Sequence, residues 1–221
     1  MPSVQHSQTF FPAGRKRVTV DCFLPEAPGP LPTLVVLHGS DGKHETMSDP
    51  ACWLAERGFA VYVPRYFERT GTGDASPRTM RLLFPVWMRT IWRAVNHVTL
   101  QAHTDARRIA LVGFSLGAYL ALANATLDRR IRAVVDYFGG LPSQLRWLRR
   151  PLPPVLILHG EQDRSVPVEE AYELERHLKA SGTPYEMRIY GDTGHGFEGS
   201  ARDDAAERTV RFLKKHLDAA V

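Results

Sequence analysis

Residues 108–122 read Arg-Ile-Ala-Leu-Val-Gly-Phe-Ser-Leu-Gly-Ala-Tyr-Leu-Ala-Leu, and no other stretch restricts the fold of this chain as strongly. Residues 109–112 are an apolar run of strand length, whereas the Ala and Leu residues after Gly117 are strong helix formers with no Gly or Pro until beyond Asn124. Ser115 falls at the joint. Glycines two positions to either side let strand and helix approach closely around a serine in a strained backbone conformation, the Gly-x-Ser-x-Gly elbow. That turn presents the Ser115 hydroxyl to solvent. It also sets the Leu116 backbone N–H in the first turn of the helix, where it can stabilise negative charge on a neighbouring oxygen.

The remaining pattern predicts the sheet that carries this elbow. Residues 18–24 alternate apolar and polar, as in a half-exposed antiparallel edge strand, and residues 33–37 form the continuous apolar run of a central parallel strand. The latter runs directly into His38-Gly39-Ser40-Asp41-Gly42. A helix over 51–57 and a strand over 59–63 follow, and then residues 66–77, with Gly71, Gly73 and Pro77, read as a mobile loop. Gly71-Thr72-Gly73 lacks the third glycine and the preceding strand of a dinucleotide fingerprint. Residues 78–103 are mostly helical, kinked or divided by Pro85, with Trp87, Ile91, Trp92 and Val95 on an apolar face. After the elbow the pattern gives a strand at 131–138 and a proline-punctuated segment, 141–154, that either caps the site or is an ordinary excursion. Next come a strand at 155–158, a helix at 168–180 and a strand at 185–190. A glycine-rich loop at 191–199 and a helix at 202–217 end the chain, the helix carrying Ala206, Val210, Leu213 and Leu217 on one face. Strands alternating with helices imply an α/β fold, a doubly wound, mostly parallel sheet flanked by helices, with its site at the strands' C-terminal edge. With 221 residues, 43% of them hydrophobic, the chain suffices for one substantial core, and a single domain over 1–221 is expected.

A serine hydroxyl needs a base to become a nucleophile, and the base needs a carboxylate to orient it. Asp163 lies just past one predicted central strand and His195 just past the last, so both reach the edge where Ser115 projects. Among nine histidines, His195 is the one set in a glycine-rich loop, Gly194-His195-Gly196-Phe197. Asp163 has two rivals, Asp192, which reads as a turn residue, and Asp136, inside a strand. His38 and His159, each before a glycine at a strand end, read as structural. No His-Glu-x-x-His and no cysteine pair at ligand spacing supports a metal site, and no cofactor is expected.

These residues resemble the dienelactone hydrolase family of the α/β-hydrolases over nearly the whole chain. The resemblance rests on Gly113-Phe114-Ser115-Leu116-Gly117-Ala118, on His159-Gly160-Glu161-Gln162-Asp163 with Val166-Pro167, and on Gly194-His195-Gly196-Phe197. It implies the α/β-hydrolase fold, a small-molecule ester or lactone as substrate, Ser115, Asp163 and His195 as a triad, and the Ser40 N–H as second oxyanion donor beside Leu116. Two departures matter. The founding members carry cysteine where this chain has Ser115, and their glutamate that restrains the cysteine aligns with Gly39. Of the two family arginines that hold a substrate carboxylate, one aligns with Arg69 and the other falls on Gly199, with Arg202 as a substitute nearby. A serine peptidase of prolyl-oligopeptidase-like type is the rival enzymatic reading, disfavoured by the lack of a propeller or other gating domain. A non-catalytic binding protein on the same fold is the rival from another class.

Charge and cysteine content narrow the partners. The 28 basic and 24 acidic residues leave a net charge of +4, with arginine clusters at 129–132 and 146–150 that read as solvated surface rather than a nucleic-acid stripe. Cys22 and Cys52 are too few for a disulfide framework and are expected as buried free thiols. No stretch has the length of a membrane span, and the first residues lack a signal-peptide core, so a cytoplasmic location is expected.

Overall fold

The computed structural model describes residues 3–148 and 150–218; Arg149 of the second arginine cluster lies outside them. Its first element is one that hydrophobic patterning does not announce. Strand β1, Val4–Ala13, pairs antiparallel with β2, Lys16–Pro25, through a turn in which Gly14 adopts φ +67°. β2 is therefore not the edge strand that its alternation suggests. β1 covers one side of it, β4 (Ala60–Pro64) pairs with the other, and Val18, Val20, Cys22 and Phe23 are all buried.

Between β2 and β4 the chain forms β3, Leu31–Leu37, and α1, Ser48–Ala55. Helix α2, Pro77–Val98, precedes β5, Thr104–Phe114, and α3, Leu116–Leu127, follows it directly. The chain continues through β6 (Ile131–Tyr137), β7 (Val155–Gly160), α4 (Glu169–Ser181), β8 (Tyr185–Tyr190) and α5 (Gly199–Asp218). The sheet order is β1-β2-β4-β3-β5-β6-β7-β8, and from β4 to β8 all neighbours are parallel. This is the α/β-hydrolase fold. Strand order reverses between β3 and β5, and the crevice beyond their C-terminal ends is where such sheets hold their ligands. One apolar layer packs α2, α3 and α4 on the sheet, and the other packs α1 and α5 on the opposite face.

Helix α2 starts where Ser76 accepts a hydrogen bond from the Thr79 amide (3.2 Å) with Pro77 in the first turn, and Pro85 sits inside the helix without dividing it. Its buried face is Trp87, Thr90, Ile91, Ala94, Val95 and Val98, whereas Trp92, more than about 100° around the helix from the centre of that face, is exposed. Residues 66–77 are less loose than their glycines suggest. They open with a 3-10 turn, Tyr66–Arg69, whose Tyr66 and Phe67 are buried, and Trp87 Nε1 donates to Thr70 Oγ1 at 2.9 Å. The 141–154 segment is held at both ends: Leu141 and Leu152 are buried, and Arg146 pairs with Glu170 and Glu173 of α4. Both cysteines are free, Cys22 buried and Cys52 half-buried.

His38, at the end of β3, is enclosed by this packing. It stacks on Tyr66 at 4.1 Å, meets Phe67 edge-on, and has no partner at Nε2. Burial pushes its pKa down to about 4 from 6.5, against the pull of the Gly39 carbonyl. A depressed histidine contributes stability that is complete above its unfolded value and is lost as pH falls from 6.5 through 4, about 3 kcal/mol in all. In urea melts the stability gap between wild type and His38→Gln is therefore expected to narrow by that amount from pH 7 to pH 4. Parallel pH profiles for the two proteins would refute the assignment.

Candidate active site

Ser115 has φ +54° and ψ −119°, a conformation that few residues other than glycine adopt. The surroundings hold it there. The Ser115 amide donates to the Tyr137 carbonyl at 2.9 Å, and the Ser115 carbonyl accepts from the Ala118 amide. A Cβ on Gly113 would overlap the backbone of Ala118, and one on Gly117 would overlap the Leu37 carbonyl, so both elbow glycines are required by close approach. The serine itself is half-buried and open to a small molecule.

Asp163 and His195 meet at the same edge. His195 Nδ1 lies 2.7 Å from Asp163 Oδ2, while Asp163 Oδ1 accepts the Ser165 and Val166 amides at 2.8 and 2.9 Å. The Asp163 side chain is fully shielded from solvent, and that of His195 is 28% exposed. A carboxylate accepts, so Nδ1 carries the proton and Nε2 is left with its lone pair facing away from Asp163. His159 lies on the other side of the carboxylate. Its Nε2 donates to the Val166 carbonyl at 2.9 Å and lies 3.5 Å from Asp163 Oδ2, and burial pushes its pKa down, so it stays neutral.

Ser115 and His195 each contact the segment at the end of β6. The segment that receives the Ser115 amide continues into Phe138, whose ring meets the His195 ring edge-on at 4.8 Å. Phe138 also has positive φ, +42°, pinned by its amide bond to the Leu158 carbonyl at 2.8 Å; with Ser115 it makes up the positive-φ non-glycine residues of the described chain. Among the described residues no hydrogen bond joins the Ser115 hydroxyl to His195, a bond that in ligand-free enzymes is often long and tightens only with substrate bound.

The two oxyanion candidates flank the serine. Gly39 brings the β3 loop beside it, a Cβ at Gly39 lying 3.6 Å from Ser115 Cβ, and Tyr66 Oη ties that loop down by donating to the His38 carbonyl at 2.8 Å. Neither the Leu116 nor the Ser40 amide has a hydrogen-bond acceptor among the described residues. Arg69 does not join this group. A Cβ on Gly14 would lie 2.8 Å from its Nη2, so the guanidinium abuts the β1–β2 turn, in a groove shared with Pro85 and Arg89 of α2. Arg202 lies at the exposed start of α5, with Nε 3.3 Å from Asp203. Asp192 is an exposed turn residue, and Asp136 is fully buried with Oδ1 accepting the Gly139 amide, so neither rival touches His195. Among the described residues no three His, Cys, Asp or Glu side chains are grouped to hold a metal ion, and no helix is long and apolar enough to cross a membrane.

Residues 19–218 match the sequence profile of the Dienelactone hydrolase family. The chain belongs to that family. A protein of Escherichia coli (strain K12) with the provisional name carboxymethylenebutenolidase is 25% identical over 215 residues, covering 86% of this chain and 79% of its own. The Acylamino-acid-releasing enzyme of Rattus norvegicus is 27% identical over 85% of this chain and 32% of its own length. Among solved structures, a dienelactone hydrolase-like promiscuous phosphotriesterase from metagenomic libraries superposes with TM-score 0.84 at 19% identity, covering 96% of this chain and 98% of that one. At that identity the likeness is one of fold.

Sequence reasoning misses Phe138. The only signal for it is an aromatic pair, Tyr137-Phe138, running off a strand into Gly139-Gly140, and nothing in residue type predicts positive φ at a phenylalanine.

Proposed function

We propose that this member of the dienelactone hydrolase family hydrolyses a carboxylic ester or lactone through a Ser115 acyl-enzyme. The observation that carries the reading is the 2.7 Å bond from His195 Nδ1 to a sealed Asp163, which fixes the tautomer whose Nε2 can accept a proton. Ser115 Oγ attacks the carbonyl carbon as His195 Nε2 takes its proton, and the oxyanion is held by the Leu116 and Ser40 amides. Collapse breaks the bond to the alcohol oxygen, which leaves with the proton from His195. Water, deprotonated by His195, then attacks the acyl carbon, and Ser115 recovers its proton as the acid departs.

Gly39 leaves the flank of Ser115 without a side chain, a Cβ there lying 3.6 Å from the Ser115 Cβ, which fits a serine nucleophile without the family's glutamate beside it. Dienelactone-type anionic substrates fit poorly, since Arg69 abuts Gly14 and Gly199 replaces the second arginine. Inhibition tests the nucleophile directly. Phenylmethylsulfonyl fluoride is expected to inactivate, and iodoacetamide to leave the rate largely unchanged in wild type and in the Cys22→Ser, Cys52→Ser double variant. Inactivation by iodoacetamide that vanishes in the double variant, without any effect of the sulfonyl fluoride, would assign the chemistry to a cysteine. The similarity to the acylamino-acid-releasing enzyme favours one second reading, a peptidase. It predicts measurable cleavage of acetyl-alanine p-nitroanilide, whereas the esterase reading predicts turnover of the corresponding methyl ester alone.

A further inference from the structure

A cavity of about 650 Å³ opens between α1 and α5 on the sheet face opposite α3. Its inner wall is Phe114, Tyr137, Phe138 and Phe197. These rings form one cluster, with Phe114 stacked on Tyr137 at 4.6 Å and Phe138 edge-on to Phe197 at 5.2 Å. Three of them are tied to the catalytic residues. Phe114 precedes Ser115, Phe197 lies two residues past His195, and Phe138 contacts the His195 ring while also lining the cavity. Neither Ser115 nor His195 lines the space, and Phe138 stands between it and the imidazole, so a chain held at His195 enters it by passing the edge of that ring. Its rim carries Asp49, Asp203 and Glu207 against the single cation Arg202, which already has Asp203 beside it.

The chemistry of the proposed reaction decides which part of a substrate faces this side. The imidazole must deliver its proton to the leaving oxygen, so that oxygen lies within hydrogen-bond reach of His195 Nε2. The alcohol portion then extends from His195, whereas the acyl portion extends from Ser115. Apolar walls favour a hydrocarbon or aromatic group, worth about 0.8 kcal/mol for each methylene buried. A net acidic rim disfavours an anionic one.

We propose that this cavity is the leaving-group site and that the enzyme's substrates are esters of uncharged, apolar alcohols of about six carbons or an aromatic ring. The inference rests on the ester-hydrolase reading and deepens it. Hexyl acetate and ethyl hexanoate test it, because they are isomers with equal apolar content and similar intrinsic reactivity. Wild type is expected to hydrolyse hexyl acetate at least tenfold faster, as kcat/KM, than ethyl hexanoate. Ala206, half-buried on α5, and Thr46, exposed at the mouth, both line the cavity, so Ala206→Trp and Thr46→Trp introduce an indole into it by independent routes.

Either variant is expected to bring the ratio of the two rates toward one. A carboxylate-tailed alcohol, in 6-acetoxyhexanoate, is expected to be a poorer substrate than hexyl acetate in wild type. A wild-type preference for ethyl hexanoate, or a ratio unmoved in both variants, would overturn the proposal. Ethyl acetate serves as the separate control: wild-type protein inert toward it and unlabelled by a fluorophosphonate would sink the ester-hydrolase reading itself.

Discussion

Ser115→Ala is expected to lower kcat/KM for any ester substrate by about 10⁴- to 10⁶-fold, the loss seen when a nucleophile that acts as one unit with its base is removed. Fluorophosphonate labelling should disappear with it. The fold should not notice, because the change deletes one half-buried oxygen and leaves the backbone at φ +54° with a side chain as before. A second substitution separates catalysis from strain. Ser115→Gly is equally inactive but relieves a conformation that costs about 1–3 kcal/mol at a non-glycine residue, so its melting temperature should rise by a few degrees. The strain is then a cost the fold bears to project a hydroxyl. Labelling of Ser115→Ala at the wild-type level would refute the nucleophile, and Ser115→Gly melting below Ser115→Ala would refute the strain.

What the sequence discloses here follows the range of the interactions involved. The elbow is legible because its determinants are local: Gly113 and Gly117 lie within two residues of the serine whose turn they permit. The succession of parallel strands along the chain is legible from apolar runs for the same reason, although their order in the sheet is not. β1 is not, since Gln5, His6, Ser7 and Gln8 are polar and exposed and only Phe11 and Ala13 bury, so its strand character comes from pairing with β2 rather than from an apolar face. Asp163 ranks above Asp136 in the sequence only by position. What separates them physically is which carboxylate reaches His195, a contact across 32 residues. Phe138 is out of reach because its backbone is held by a partner distant in sequence, the Leu158 carbonyl of β7.

Asp163→Asn is expected to lower kcat/KM by about 10⁴-fold with little change in KM, through the tautomer of His195. The amide oxygen of the introduced asparagine would take over the Ser165 and Val166 amides that now bind Oδ1, which turns its NH₂ group toward His195. Nδ1 must then accept, the ring proton moves to Nε2, and the nitrogen that should receive the Ser115 proton is blocked. Asp136→Asn makes the opposite expectation. Its Oδ1 accepts only the Gly139 amide, its Oδ2 is buried without a partner, and burial pushes the carboxyl up to about 7. A carboxyl raised from 3.8 to about 7 contributes stability below pH 3.8 that is lost as pH rises toward 7. Asp136→Asn should therefore retain turnover within about tenfold while gaining stability relative to wild type between pH 4 and pH 7. Parallel pH–rate and urea-melt series on the two variants read both effects. A crippled Asp136→Asn beside a nearly silent Asp163→Asn would mean that the acid acts from β6, and that the 2.7 Å bond to His195 serves the fold rather than the reaction.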